Sequence, residues 1–285
     1  MKALIAHART HYHQKLLALG VLTVDANGIP SNADRSSRLS CDIAREITRQ
    51  LPVSVQEKTV GQTAGALFEQ INMEFLQETF PKLQHLRPGS WHIVKLGNQN
   101  AIKTSNFSQY EHLDYLSKLT EADAKLAASI GNDYMVTPDV VIYRDTLSDA
   151  EINSSKCFVD GSVAQMADIR KSCSPLPILH ASISAKWTIR SDRAQNSRTE
   201  ALGLIRNRKG RLPHIVVVTG EPMPNRIASL AMGTGDIDCV YHFALYELVK
   251  AVNATGEETA AELLQMLIDG KRLKDISDLP LDLSV

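Results

Sequence analysis

Residues 179–190, LHASISAKWTIR, are the stretch that decides the fold. Every odd-numbered position in this stretch is apolar, and every even-numbered position is polar or basic. An alternation with a period of two is typical of a β-strand that buries one face and keeps a polar side opposite. We therefore predict a strand over residues 179–190 that directs Ser184 and Lys186 to the same polar face.

Further segments of the chain are typical of strands and helices. Residues 214–219, HIVVVT, form an apolar run of the kind found in buried central strands, and residues 136–143 and 91–96 are two more predicted strands. The predicted helices cover residues 11–22, 41–51, 61–80, 108–130, 192–207, 238–253 and 258–269. Helices around a few strands indicate a single α/β domain over residues 1–285, with a mixed central sheet flanked by helices.

Composition excludes several classes of protein. The chain has 285 residues, of which 44% are hydrophobic and 22% charged, as expected for a globular protein that buries its own core. It contains no run of 18 apolar residues and begins without a long apolar segment, so we expect neither a transmembrane helix nor a signal peptide. The four cysteines include no C-x-x-C pair, so we expect a reduced cytoplasmic protein without structural zinc.

A net charge of −1 conceals a basic cluster. Residues 186–211 contain eight Lys or Arg and only two acidic side chains, a local charge of +6. Concentrated positive charge on an otherwise neutral chain is typical of a phosphate-binding surface. Charge alone is equally compatible with a solvated helix face.

Asp139 and Lys186 are candidates for chemistry if their strands are neighbours. A carboxylate and an ammonium on adjacent strands suit metal-assisted phosphodiester hydrolysis, in which both the metal and the lysine offset charge on the phosphate. One carboxylate is too few for a hard cation, and Glu200 on the following helix is the candidate second ligand. The residues by themselves leave open a simple surface ion pair. Glu69, among apolar neighbours on the 61–80 helix, is either a buried acid or a partly exposed one.

These motifs resemble a known family. Pro138-Asp139, Ser184-Ala185-Lys186 and Glu200 resemble the PD-(D/E)xK nuclease pattern in a variant form, in which a serine replaces the usual acid and a glutamate from the next helix compensates. That variant marks restriction endonucleases that cut sites with a CCGG core. The same family is matched by residues 186–196 (KWTIRSDRAQN), 206–214 (RNRKGRLPH), 238–248 and 270–283. The similarity covers most of the chain and is weaker at residues 1–30, 145–175 and 250–268.

The resemblance implies a restriction-endonuclease-like fold and a type II restriction endonuclease. It implies Mg²⁺-dependent cleavage of both DNA strands at GCCGGC, with 5′ CCGG overhangs, in host defence against foreign DNA. In this interpretation Asp139 and Glu200 hold the metal, Lys186 orients the attacking water, Ser184 supports it, and Glu69 is an auxiliary acid.

Base-reading candidates follow from the chemistry of the major groove. Arginine pairs with guanine O6 and N7, and aspartate accepts a hydrogen bond from cytosine N4. Arg190, Asp192 and Arg193 supply two guanine readers and one cytosine reader, and the resemblance assigns them to the CCGG core; the alternative is a helix-start aspartate between phosphate-binding arginines. The candidates for the outer base pair come from segments that resemble the same family, and all are polar residues at loops or element ends: Asp34, Ser36, Gln62 and Arg226. Asp34 could equally stabilise a turn, and Arg226 could equally bind a phosphate.

A palindromic target predicts a two-fold dimer, because identical readers must meet identical half-sites. The resemblance further implies a tetramer of two back-to-back dimers that binds two copies of double-stranded DNA, with no membrane partner. Two rival functions are a non-catalytic DNA-binding regulator on a nuclease scaffold and a structure-specific repair nuclease. The intact Asp139, Lys186 and Glu200 disfavour the first rival, and the candidate base readers disfavour the second.

Overall fold

The computed structural model describes residues 3–51, 64–96, 103–130, 136–189, 191–233 and 235–285, with the backbone alone at Ile130 and over 191–194. The chain divides into two compact units. One contains residues 1–87, 183–199 and 215–285, and the other contains residues 88–182 and 200–214. The expectation of a single domain over the whole chain stays a prediction.

Six strands are hydrogen-bonded in the order β1-β2-β3-β4-β5-β6. They are β1 (Trp91–Lys95), β2 (Val140–Arg144), β3 (Ile178–Lys186), β4 (His214–Thr219), β5 (Cys239–His242) and β6 (Leu273–Asp275). β1 runs antiparallel to β2, with Trp91 opposite Arg144, whereas β4, β5 and β6 are mutually parallel. The mixed sheet with its helices confirms the predicted α/β class.

The helices are α1 (Leu4–Ala18), α2 (Arg38–Gln50), α3 (Ala64–Thr79), α4 (His112–Ala122), α5 (Ala124–Ile130), α6 (Asp149–Ile152), α7 (Ser191–Asn207), α8 (Pro224–Ala231), α9 (Leu245–Thr255), α10 (Glu258–Asp269) and α11 (Leu279–Asp282). Short 3₁₀ turns occupy Phe80–Leu83, Thr104–Asn106 and Ser108–Tyr110. In the parts of the chain described above, no helix combines the length and the apolar character needed to cross a membrane.

Two predicted helices were wrong in part. Residues 239–242 form β5 and not helix, because this buried segment, CVYH, pairs in parallel with both β4 and β6. Apolar periodicity over so short a run does not separate strand from helix. The helix predicted over 108–130 is interrupted at Asp123, whose backbone is extended and whose carboxylate accepts the N–H groups of Lys125 and Leu126. Such local side-chain hydrogen bonds compete with helix continuation.

Strand β3 is buried on both faces. The alternating sequence predicted one apolar and one polar face, and the polar face is nonetheless covered, since His180, Ser182 and Ser184 are all buried. Its first residues are fixed within one unit by the side-chain amide of Gln109, which donates to the Leu179 carbonyl at 2.7 Å and accepts its N–H at 3.0 Å. This central strand therefore buries polar side chains that are small or hydrogen-bonded.

The core of the other unit includes an ionic cluster that joins α1, α9 and β6. Both oxygens of Asp275 accept from the Arg9 guanidinium at 2.8 Å, and both oxygens of Glu247 accept from it at 3.0 and 2.6 Å. Asp275 is fully buried and also accepts the Leu245 N–H. Burial by itself would raise the pKa of Asp275 and of Glu247, but the hydrogen bonds and charge of Arg9 outweigh it, and both pKa values lie below their ordinary range.

We predict that Arg9→Ala lowers the free energy of unfolding by about 3–5 kcal/mol, because it leaves Asp275 buried without its cation. Urea unfolding at neutral pH measures this loss. The exposed Arg49, paired with Glu46 on one helix, is the matched control, and Arg49→Ala should change stability by less than about 0.5 kcal/mol. Equal stability of the two variants would contradict the assigned role of the cluster.

The same cluster sets a pH dependence. Acids with lowered pKa values stabilise the folded state fully above their ordinary pKa values, 3.8 for Asp275 and 4.5 for Glu247, and this stabilisation is lost as the pH falls through the lowered values. We therefore expect acid to destabilise the wild type more steeply than Arg9→Ala. Urea midpoints measured from neutral pH to below these values test the difference in slope.

Candidate nucleic-acid interface

The end of β3 is bound to the start of α7 and to the end of β4. The Ser184 hydroxyl lies 3.3 Å from the hydroxyl of Ser197 on α7. The Lys186 carbonyl accepts hydrogen bonds from the Thr219 hydroxyl at 2.8 Å and from the Gly220 N–H at 3.3 Å. The strand therefore ends at Lys186, and its lysine is half-buried at the junction.

Trp187 turns the chain away from the sheet. Its indole packs against Phe68 and Phe243, with ring centroids 5.0 and 5.2 Å apart, and donates to the Ser31 hydroxyl at 3.2 Å. A Cβ atom on Gly220 would lie only 2.4 Å from the indole ring. Only glycine allows the loop after β4 to approach the tryptophan this closely.

Glu221, next in that loop, is fully buried. Its carboxylate accepts the Ile189 N–H at 2.8 Å and the Met223 N–H at 3.2 Å. Burial raises the pKa of Glu221 to about 6, because it outweighs the two backbone hydrogen bonds, which lower the pKa. Sequence reasoning missed this residue, although an acid two positions after the largely apolar strand β4 was a usable signal, because the carboxyl ends of strands are where open α/β sheets build their sites.

Three of the four outer-pair candidates lie together. The Arg226 guanidinium is paired with the Asp34 carboxylate, which also accepts the Ser36 hydroxyl at 2.7 Å and the Ser36 N–H at 3.0 Å. The hydrogen bonds from Ser36 and Arg226 hold the pKa of Asp34 well below its ordinary value. Asp34 thus stabilises a turn and forms an ion pair at once, and its role as a base reader stays a prediction. The fourth candidate, Gln62, lies outside the described residues.

The loop that carries Asp34 is fastened to the loop after β4. Buried Asn32 donates its side-chain amide to the Gly220 carbonyl at 2.8 Å. Asp34 in turn donates its backbone N–H to the Ser40 hydroxyl at 2.9 Å. We use the name reading platform for the group of chain segments formed by residues 31–36, 186–189 and 219–226, which includes the buried side chains of Asn32, Trp187 and Glu221.

Helix α7 follows the reading platform directly. Arg190 lies outside the described residues, and Asp192 and Arg193 lie in the first turn of α7. Further along α7, the Arg198 guanidinium donates to the carbonyls of Ser229 and Leu230, at the end of α8, at 2.7 and 3.4 Å. The two helices that carry the Arg193 and Arg226 candidates are thereby joined.

The candidate metal ligands lie on other elements. Asp139 directly precedes β2 and accepts the Leu96 N–H on its backbone carbonyl at 3.0 Å, and Glu200 lies within α7. Both side chains are half-buried, as is Glu69 on α3, which corresponds to the partly exposed interpretation of that residue. Carboxylate oxygens are the ligands that Mg²⁺ prefers, so the donor chemistry fits. Among the described residues, no group of three or more His, Cys, Asp or Glu is arranged to hold a metal.

Comparison with known proteins places the chain in a family. The model of the NgoMIV restriction enzyme family matches residues 12–285. Type II restriction enzyme NgoMIV of Neisseria gonorrhoeae is 51% identical over 286 residues, covering 100% of both chains. Among solved structures, Bse634I restriction endonuclease has 13% identity and a TM-score of 0.37, covering 87% of this chain and 91% of its own. The PspGI–substrate DNA complex has 12% identity and a TM-score of 0.28, covering 98% and 90%.

The 51% identity over the full length and the match to the family model confirm the fold class and the type of enzyme that the motifs around Asp139 and Lys186 predicted. Structural similarity at these TM-scores adds no argument. The chain belongs to the NgoMIV restriction enzyme family and is a type II restriction endonuclease.

Proposed function

We propose that the enzyme cuts both strands of GCCGGC in a Mg²⁺-dependent reaction, leaves 5′ CCGG overhangs, and acts in the cytoplasm against foreign DNA. The observation that carries this proposal is the reading platform. In the reading platform, one ion pair and a set of hydrogen bonds link three outer-pair candidates to the residues that lead from Lys186 to Arg190. Digestion of a sequenced plasmid with and without Mg²⁺, followed by mapping of the ends, tests it.

Type II restriction endonucleases generally use a divalent metal, and Asp139 and Glu200 would hold it here. A bound Mg²⁺ would lower the pKa of a water and offset charge on the phosphate. Lys186 would orient the water and stabilise negative charge, and Ser184, held by Ser197, would support it without supplying an anionic ligand. Glu69 is proposed as an auxiliary acid.

Arg190, Asp192 and Arg193 are proposed to read the CCGG core, and Asp34, Ser36, Gln62 and Arg226 the outer pair. A G·C pair offers acceptors on guanine and a donor on cytosine N4. The Arg226–Asp34 pair presents the complementary groups side by side, a guanidinium that donates and an ionised carboxylate that accepts. This complementarity supports G·C as the outer pair.

We predict that Asp139→Ala and Lys186→Ala lower the cleavage rate by at least about 100-fold, because charge stabilisation at the phosphate is lost, while specific binding in Ca²⁺ remains. Glu200→Gln, which removes a metal-binding charge at almost constant volume, should also impair cutting. Plasmid cleavage and gel shifts measure the two effects. Glu262→Gln, at an exposed position on α10, is the matched control. Loss of specific binding in both alanine variants with an unchanged fold would remove these residues from the catalytic role.

Base reading predicts discrimination losses confined to particular base pairs. Arg190→Ala should cost about 1–3 kcal/mol of discrimination at the core, and Arg226→Ala a similar amount at the outer pair alone. Arg208→Ala, at a basic residue proposed to contact only phosphate, should weaken all duplexes alike and lower the salt slope by about one. Binding in Ca²⁺ to GCCGGC, ACCGGT and GCGCGC duplexes measures the loss of discrimination at the outer pair and at the core. If Arg190→Ala weakens cognate and random DNA equally, direct readout by that residue is wrong.

We further propose a tetramer of two back-to-back dimers that binds two DNA copies, four chains of 31.4 kDa. If cleavage requires two bound sites, a second site on the same plasmid raises the effective concentration of the partner DNA. A two-site plasmid should then be cut faster than a one-site plasmid, and a short cognate duplex added in trans should speed the one-site reaction. Equal rates together with a dimer mass by light scattering would show a simple dimeric enzyme.

A further inference from the structure

We propose that Glu221 is a positioning residue for sequence recognition, holding the core-reading segment and the outer-pair readers in a fixed relation. This role rests on the proposed base-reading function and deepens it, because Glu221 would fix the backbone from which both groups of base-reading residues extend. Glu221 itself is fully buried and so contacts no base.

The first arm of this arrangement leads to the core readers. One carboxylate oxygen of Glu221 accepts the Ile189 N–H at 2.8 Å. Ile189 directly precedes Arg190, and α7 begins at Ser191. The carboxylate therefore fixes the backbone from which the core-reading residues extend. Bidentate contacts need such fixed geometry, because a displacement of about 1 Å is enough to lose them.

The second arm leads to the outer-pair readers. The same carboxylate oxygen lies 3.9 Å from the Arg226 guanidinium, whose other terminal nitrogen is paired with Asp34. The second carboxylate oxygen accepts the N–H of Met223, the residue that precedes α8. Glu221 thus holds both the start of the helix that carries Arg226 and one side of its guanidinium.

An ionised carboxylate at this depth does not serve stability. Burial raises the pKa of Glu221 from its ordinary value of 4.5 to about 6, so the contribution of this group to folding stability is fully present below pH 4.5 and is lost as the pH rises through about 6. Among the described residues, Glu221 is faced by Arg226 on α8, by Asp34 on its loop, and by His242 on β5, which lies against the Glu221 backbone. The pKa of Asp34 is held well below its ordinary value, and burial lowers the pKa of His242 to about 4. Between about pH 5 and 8 Glu221 therefore titrates while Asp34 and His242 do not.

The test is Glu221→Gln, with binding in Ca²⁺ to GCCGGC, ACCGGT, GCGCGC and random duplexes. We expect the variant to lose about tenfold of its discrimination at both the core and the outer pair, with affinity for random DNA within about twofold of wild type. Arg226→Ala should lose discrimination at the outer pair alone. Adding Glu221→Gln to Arg226→Ala should give less than the summed loss at the outer pair, because the two groups are coupled.

The matched control is Asp238→Asn. Like Glu221, Asp238 is a carboxylate that accepts a backbone N–H. It accepts the N–H of Ile215 at 2.8 Å, at the opposite end of β4 from Glu221. This variant should discriminate as the wild type does. A pH series on the wild type adds a readout that does not depend on the folding of a variant: discrimination should fall as the pH is lowered through about 6. The same series on Glu221→Gln should give a flat profile.

Three results would overturn the proposal. They are wild-type discrimination by Glu221→Gln, an equal loss on all four duplexes, and wild-type discrimination that does not change between about pH 5 and 8. Wild-type discrimination by Glu221→Gln, together with a lowered urea midpoint, would assign Glu221 a purely structural role. If the wild type itself bound GCCGGC and random DNA alike, the proposed function would fail and not the role of Glu221.

Discussion

The close contact between Trp187 and Gly220 is the constraint on which the rest of the reading platform depends. The tryptophan occupies the space where any side chain at residue 220 would begin, so the loop after β4 lies directly on the end of β3. The hydrogen bonds of Lys186 with Thr219 and Gly220 run beside this contact. Because Asn32 binds the Gly220 carbonyl and Glu221 follows in sequence, the same contact positions the Asp34 loop and the backbone that leads to Arg190. Lys186, one of the catalytic candidates, thus shares one junction of backbone segments with the base-reading candidates Asp34 and Arg226, and groups held on one rigid junction keep a fixed geometry relative to each other.

Two buried acids in the same unit show how differently the chain treats charge. Asp275 has a guanidinium bound to both of its oxygens, and its pKa is lowered in spite of burial. Glu221 has two backbone N–H groups and a guanidinium 3.9 Å away, and its pKa is raised. Paired buried charges hold elements together, whereas an incompletely neutralised buried charge costs folding free energy and is typical of functional sites. The Arg9 cluster joins α1, α9 and β6, and Glu221 lies among the proposed readers.

The sequence predicted the elements whose pattern is local. Strand β4 and helix α10 lie within the bounds that periodicity gave, and the alternation at residues 179–186 predicted β3. It did not predict β5, because the strand character of residues 239–242 comes from pairing with β4 and β6, which are distant in sequence. The candidate site divides in the same way. Resemblance to the family identified Asp34, Ser36 and Arg226 as candidates, and the alternating pattern placed Lys186 on a polar face. The proposed role of Glu221 comes instead from the packing of Gly220 on Trp187, two residues far apart in the chain.

The pairing of Asp34 with Arg226 bears on the selectivity that we propose at the outer base pair. Each group satisfies the other's charge, so a base pair that engages them must replace that interaction and not simply add to it. A G·C pair supplies an acceptor edge for the guanidinium and a donor for the carboxylate, so both groups keep a partner after the exchange. An A·T pair in the same orientation offers no such matched set and leaves one charged group facing an unsuitable edge, at a cost set by its desolvation. Since Asp34 is also fixed by Ser36, the exchange moves the longer arginine more than the aspartate, and little ordering is left to be done when DNA binds. Discrimination at the outer base pair then comes as much from rejecting the wrong pair as from holding the right one.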